Sequence, residues 1–197
     1  MEQRFSLSAN IEEGFSKDTQ YIVTPNVQKS MSSILDSYRS GIHTFTIIGT
    51  YGTGKSSFLL ALESDLTPKK NTHYLLTPEN LSKCKGYEFM NIVGDYAELS
   101  SLIRKKMSIE GEGNSVLDEL KAYYNKLHKS NKFLVIVIDE FGKVLEHAAK
   151  NNPEQELYFM QKLAEFVNVP SRNILLLTTL HQNFSSYARG LKESQVN

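Results

Sequence analysis

The sequence predicts an α/β fold with a mainly parallel sheet, and three observations carry that prediction. Short β-rich runs alternate with segments of helical periodicity along the chain. One run, Leu134-Val135-Ile136-Val137-Ile138, is apolar at every position, the pattern of a strand covered on both faces. A glycine-rich turn joins the first strand-like run to the helix that follows it.

In chain order, Val27 to Tyr38 reads as a helix and Thr44 to Ile48 as the first strand. Ser56 to Glu63 reads as the next helix and His73 to Leu76 as the second strand. The stretch from Tyr87 to Lys129 is expected to hold two helices, broken around Gly111-Glu112-Gly113-Asn114. Phe133 to Ile138 is the third strand and Ile174 to Thr178 the fourth. Between them, Pro153 to Val167 carries the clearest helical signal. Asn152 is placed to cap it, Pro153 suits its first turn, and Leu157, Met160, Leu163, Ala164 and Val167 share one face. Phe184 to Lys192 begins a last helix. Internal repeats and low-complexity tracts are absent from the sequence.

The 197 residues suffice for one domain with a single sizeable core, and 40% hydrophobic with 22% charged residues is ordinary for a globular protein. Lysine plus arginine balances aspartate plus glutamate at 22 each. That balance argues against a strong non-specific grip on nucleic acid or an acidic membrane, leaving nucleic acid as a partner only through a larger assembly. Cys84 is the one cysteine, so an intrachain disulfide is impossible and a reducing cytosol fits. Met1-Glu2-Gln3-Arg4-Phe5 lacks the apolar stretch of a signal peptide, and the longest apolar runs are strand-sized. The expectation is a soluble cytoplasmic protein without a membrane span.

Chemistry concentrates first in Gly49-Thr50-Tyr51-Gly52-Thr53-Gly54-Lys55-Ser56, followed by Ser57. This matches G-x-x-x-x-G-K-[ST] between a strand and a helix, the setting in which such a loop cradles phosphate. Its glycines let the backbone turn sharply and bring N–H groups against phosphate oxygens. The N-terminus of the following helix adds favourable potential for an anion. Lys55 has the reach for the β- and γ-phosphates, and the Ser56 hydroxyl suits magnesium. Tyr51 either stacks near the nucleotide or faces solvent.

The second concentration is Asp139-Glu140, directly after the all-apolar strand. A hydrophobic strand delivers these carboxylates to the carboxyl edge of the sheet, where ligands of parallel α/β folds bind. Asp139 is the candidate to hold magnesium through a water, and Glu140 the candidate general base toward the water attacking a γ-phosphate. At the polar end of the fourth strand, Thr178 or Thr179 is the candidate to sense that phosphate, ahead of His181 and Gln182; His181 could equally cap the next helix.

With these motifs placed, the chain resembles the additional-strand P-loop ATPases, the AAA+ and STAND-like groups. The resemblance rests on residues 49–56, on Ile136-Val137-Ile138-Asp139-Glu140, and on the polar end of Leu175 to Thr179, and it spans about His43 to Gln182. It implies a three-layer P-loop NTPase fold with central strand order 5-1-4-3-2, ATP and Mg2+ as ligands, and hydrolysis through the Glu beside the aspartate. Tyr21-Ile22-Val23-Thr24-Pro25 sits where such proteins place residues against adenine. Residues 1–40 are then a linker and helix flanking the nucleotide site, and residues 41–197 the ATPase core. The sequence stops before the expected fifth strand and helical lid, implying the N-terminal part of a longer protein or a partner over the exposed first strand. A sensor-2 arginine is not identified, and the long interval between Lys55 and Asp139 implies inserted helices that could carry partner specificity. More narrowly, "IIGTYGTGKSSFL" and "TTLHQNFSSYA" are similar to ATP-binding components of bacterial anti-phage defence systems.

Two functions follow from different premises. A hydrolysing module would couple ATP turnover to conformational change or assembly of a larger complex, through protein partners or self-association. A non-hydrolysing switch would bind ATP and change oligomeric state. A P-loop kinase is disfavoured by the position of Asp139-Glu140 and the lack of an arginine-rich lid. Guanine specificity is disfavoured because Asn131-Lys132-Phe133-Leu134 has Leu where N-K-x-D needs Asp.

Overall fold

The computed structural model describes residues 9–15, 21–67, 75–76, 78–110, 115–184 and 186–187. The elements run α1 (Pro25–Arg39), β1 (Thr44–Ile48), α2 (Lys55–Leu66), α3 (Pro78–Leu81), β2 (Gly86–Val93), α4 (Leu99–Met107), α5 (Val116–Lys129), β3 (Lys132–Asp139), α6 (Phe141–Lys150), α7 (Pro153–Val167) and β4 (Ile174–Leu180). The four strands form one sheet in the order β1-β4-β3-β2, and every pairing is parallel.

The apolar run in β3 sends alternate side chains to opposite faces. Leu134, Ile136 and Ile138 join Leu120 of α5, Ile103 of α4 and Leu163 of α7 in one core. Phe133, Val135 and Val137 join Met31 of α1 and Leu59 and Leu62 of α2 in another. Helices therefore cover both faces, giving the three layers that the unbroken hydrophobicity of β3 predicts. All seven residues of β4 are buried, whereas β1, at the sheet edge, is only partly covered.

Register fixes the functional edge. β3 pairs Ile138 with Thr178 of β4, and β4 pairs Leu180 with Ile48 of β1. The carboxyl ends of β1, β4 and β3 thus lie side by side, and the residues that follow them meet in space.

The second strand departs from expectation. Leu75 and Leu76 are not strand, and the rest of the expected His73 to Leu76 strand lies outside the described residues. The sheet instead takes Gly86–Val93, from the stretch expected to be helical. Its polar residues have tertiary partners: Glu88 pairs with Lys132 of β3 at 3.1 Å, and Asn91 Nδ2 donates to Glu63 Oε2 at 2.7 Å and to the Ile11 carbonyl at 3.2 Å. The two helices expected in that stretch follow β2 as α4 and α5; the expected break at 111–114 lies outside the described residues.

Helix α6 was not anticipated, and of the expected last helix only residues 184 and 186–187 are described. At α7, Pro153 takes the first turn as expected, but Asn152 adopts φ 47° and makes no side-chain cap. Its carbonyl instead accepts from Glu156 N. Among the described residues, no helix is long and apolar enough to cross a membrane.

Candidate functional site

The loop between β1 and α2 is hooked to the neighbouring strand, because Gly49 N donates to the Leu180 carbonyl at 3.0 Å. Gly52 and Gly54 hold φ of +77° and +82°, the left-handed region that costs an ordinary residue strain. Gly54 is also the cap position of α2, where no side chain caps the first amides. The first amides of a helix have no intrahelical partner, and Lys55, Ser56 and Ser57, which open α2, line the cleft where an anion could take them up.

Lys55 is buried, and its ammonium rests on the loop itself. Nζ donates to the Gly49 carbonyl at 2.6 Å and the Thr50 carbonyl at 3.0 Å, and lies 3.3 Å from His181 Nδ1. Desolvation lowers its pKa, partly countered by the charges of Asp139 and Glu140. Thr53 Oγ1 donates to the same Thr50 carbonyl, bracing the loop from inside.

Across the cleft, Ser56 Oγ donates to Asp139 Oδ2 at 2.6 Å. The other oxygen of Asp139 accepts from Thr179 Oγ1 at 2.5 Å, and Thr179 Oγ1 accepts in turn from Glu140 N at 2.9 Å. One line of hydrogen bonds therefore joins the loop, the end of β3 and the end of β4. Glu140 sits at φ 54°, opening α6, with its carboxylate in contact with the ammonium of Lys143. Gly94, just beyond β2, completes the frame. Its N–H donates to the Asp139 carbonyl at 2.7 Å, and a Cβ there would stand 2.5 Å from the Glu140 carbonyl oxygen. Any side chain at 94 would push the acidic turn away.

These residues border a cleft of about 540 Å³ lined by Tyr51, Gly52, Gly54, Lys55, Ser56, Ser57, Asp139, Glu140 and His181. On the amino-terminal side its wall is Ala9, Asn10 and Ile11, and not the 21–25 segment expected against adenine. Within that segment, Thr24 caps α1 by accepting from Val27 N, and Pro25 opens the helix.

The two threonine candidates turn away from the cleft. Thr178 is buried and bonded to Thr46 Oγ1 of β1 at 2.9 Å. Thr179 is fully buried and uses its hydroxyl on Asp139 and Glu140. His181, ranked behind them on sequence, is the residue after β4 that faces the cleft. It stacks on Tyr51 with ring centroids 3.6 Å apart and planes 20° from parallel. Tyr51 is thus both exposed and stacked, on a histidine of this chain. Gly94 and Lys143 were not read from the sequence; locating β2 would have pointed to Gly94, because its end borders the acidic turn.

The donor set suits a nucleotide with magnesium. A hydroxyl and a carboxylate, here bonded to each other, are the hard oxygen ligands that magnesium prefers. Gly52 and Gly54 line the cradle with no Cβ, and space is open where one would be.

The arrangement of strands and loop is a three-layer P-loop NTPase fold, an α/β fold with an all-parallel sheet. No protein-family model matches the chain, and no curated protein matches it in sequence. Solved structures do match. The chain is similar to the ORC2 protein of Aeropyrum pernix in its ADPNP-ADP complexes, with TM-score 0.57 and 18% identity over 91% of this chain and 46% of that one. It is similar to C. elegans PCH-2, with TM-score 0.51 and 15% identity over 83% of this chain and 40% of that one. The ADP form of the A. pernix protein gives TM-score 0.51 at 18% identity, over 95% and 49%. The chain spans less than half the length of these structures, and at such identities the likeness is one of fold.

Proposed function

We propose that the chain is an ATP-binding, magnesium-dependent ATPase module that couples nucleotide binding and hydrolysis to conformational change or assembly of a larger complex. The observation that carries this reading is the hydrogen-bonded line Ser56–Asp139–Thr179, with Glu140 beside it, facing the phosphate loop. Backbone amides at 49–56 and Lys55 would hold the phosphates, while Ser56 and, through water, Asp139 would hold magnesium. The metal would neutralise phosphate charge. Glu140 would take the proton of the attacking water, and Tyr51 and Ser57 would border the nucleotide. The A. pernix protein was solved with ADPNP and ADP, which supports an adenine nucleotide here.

Steady-state turnover of the wild type against Glu140→Gln tests hydrolysis. A loss of about 100-fold is expected for a missing general base, and equal rates would sink the hydrolase reading. Lys55→Ala tests the site itself: calorimetry should show ATP affinity reduced at least about tenfold, since a charge-assisted donor is lost.

A non-hydrolysing switch is the second reading, favoured by the ion pair between Glu140 and Lys143, which engages the base with a cation. A place in an anti-phage defence assembly is a narrower proposal, resting on the segments around residues 47–59 and 178–188. Phage plating on cells carrying or lacking the gene would check it.

A further inference from the structure

His181 is used by none of the roles above, yet its contacts are specific. The three protons of the Lys55 ammonium face three acceptors: the carbonyls of Gly49 and Thr50, and His181 Nδ1. An ammonium can only donate, so Nδ1 carries the lone pair and the neutral ring keeps its proton on Nε2. The ring plane is fixed by the stack on Tyr51. The backbone at 181 is fixed as well, because the Tyr187 phenol, packed beside Gly142 of α6, bonds to the His181 backbone. His181 therefore bridges the phosphate loop and the segment after β4.

The charged groups around the imidazole come from each element bordering it. Lys55 of α2 and Lys143 of α6 disfavour its protonation, while Asp139 of β3 and Glu140 favour it; Tyr51 covers one face. Burial first and Lys55 second hold its pKa below the ordinary histidine value. A phosphate entering the loop changes this balance. It would draw the Lys55 ammonium off its resting acceptors and leave the Nδ1 lone pair toward the phosphate, acceptor against acceptor. Adding a proton to Nδ1 converts that repulsion into a charge-assisted hydrogen bond.

We propose that His181 is a proton-linked latch on the phosphate loop: neutral, it holds Lys55 back, and on phosphate binding it takes up one proton and becomes a second cation at the site. This rests on the nucleotide-binding reading above. The imidazole pKa is then higher in the bound state than in the free state. Affinity gains as pH falls below the bound-state pKa, and the gain is complete below the free-state pKa. A single proton allows at most about tenfold per pH unit.

The test is calorimetry of the full chain with ADP and with a non-hydrolysable ATP analogue. Saturating magnesium keeps the phosphates ionised, and two buffers of different ionisation heat are used between about pH 6 and 8. Expected for wild type are net uptake of up to one proton and an affinity that tightens several-fold toward acid. His181→Gln, which keeps the ring's approximate size without titrating, should bind with neither. Proton-detected titration of the His181 ring in wild type, free and bound, needs no variant and should show its pKa rising on binding. Nucleotide binding without proton uptake, uptake that persists in His181→Gln, or a ring pKa that falls on binding would overturn the latch alone. No binding of either nucleotide would overturn both the latch and the nucleotide reading.

Discussion

Thr179 gives both halves of its hydroxyl to the acidic turn, donating to Asp139 and accepting from Glu140 N, at a position with no solvent contact. Its value is in aiming two carboxylates, which explains why a polar residue sits at the end of an otherwise apolar strand. Replacing it by the isosteric valine leaves a buried carboxylate oxygen short of a donor. Thr179→Val should lower stability by about 1–3 kcal/mol in urea unfolding, and Thr179→Ser should recover most of that loss. A loss no larger for valine than for serine would show that the hydroxyl is dispensable. Of the residues singled out in the sequence, Tyr51, Gly52, Gly54, Lys55, Ser56, Ser57, Asp139 and Glu140 line one cleft, so their proximity was legible from the motifs. The partner of each was not legible. A threonine facing a phosphate and a threonine facing a neighbouring strand have the same sequence signature, and register alone separates them.

At the scale of elements, the same distinction decides what the sequence revealed. Strands β1, β3 and β4 announce themselves as short β-rich runs, helices α1 and α7 by helical periodicity with a proline in the first turn, and α2 by following the glycine-rich loop. Strand β2 does not, because Glu88 and Asn91 interrupt it, and both are satisfied by residues far along the chain. Helix α4 shows how far such support reaches. Its first amide, Leu99 N, is bonded by Glu156 Oε2 of α7 at 3.1 Å, a cap delivered from another helix. Glu156 is buried, and desolvation raises its pKa above the ordinary carboxyl value, outweighing the Leu99 bond. Since the folded protein holds this proton more tightly than the unfolded chain, the ionised carboxylate weakens the fold at neutral pH, and that burden is relieved as pH falls through the folded pKa toward the ordinary value. Glu156→Gln keeps an oxygen for Leu99 N and removes the buried charge. Thermal melts should show the variant gaining on wild type at neutral pH, with the difference shrinking toward acid. A difference independent of pH would refute the buried-charge account.

Across the whole molecule, the sheet order places the site and also exposes an edge. Putting β4 between β1 and β3 brings the phosphate loop within reach of the acidic turn, although Lys55 and Asp139 are far apart in sequence. The same order leaves β1 paired on one side only among the described residues. Ile42, just before β1, and Ile48, at its end, are each about half exposed, at 51% and 49%. An edge strand with unpaired amides and carbonyls flanked by apolar side chains is a template for pairing with another chain. A charge at the flank opposes that pairing and costs the monomer little, because an exposed side chain loses few contacts. Ile42→Lys should therefore reduce concentration-dependent association, read by light scattering at increasing protein concentration, while the melting temperature stays within a few degrees of wild type (about 0.5 kcal/mol). If wild type and variant scatter alike at every concentration, the β1 edge is not the surface through which copies meet.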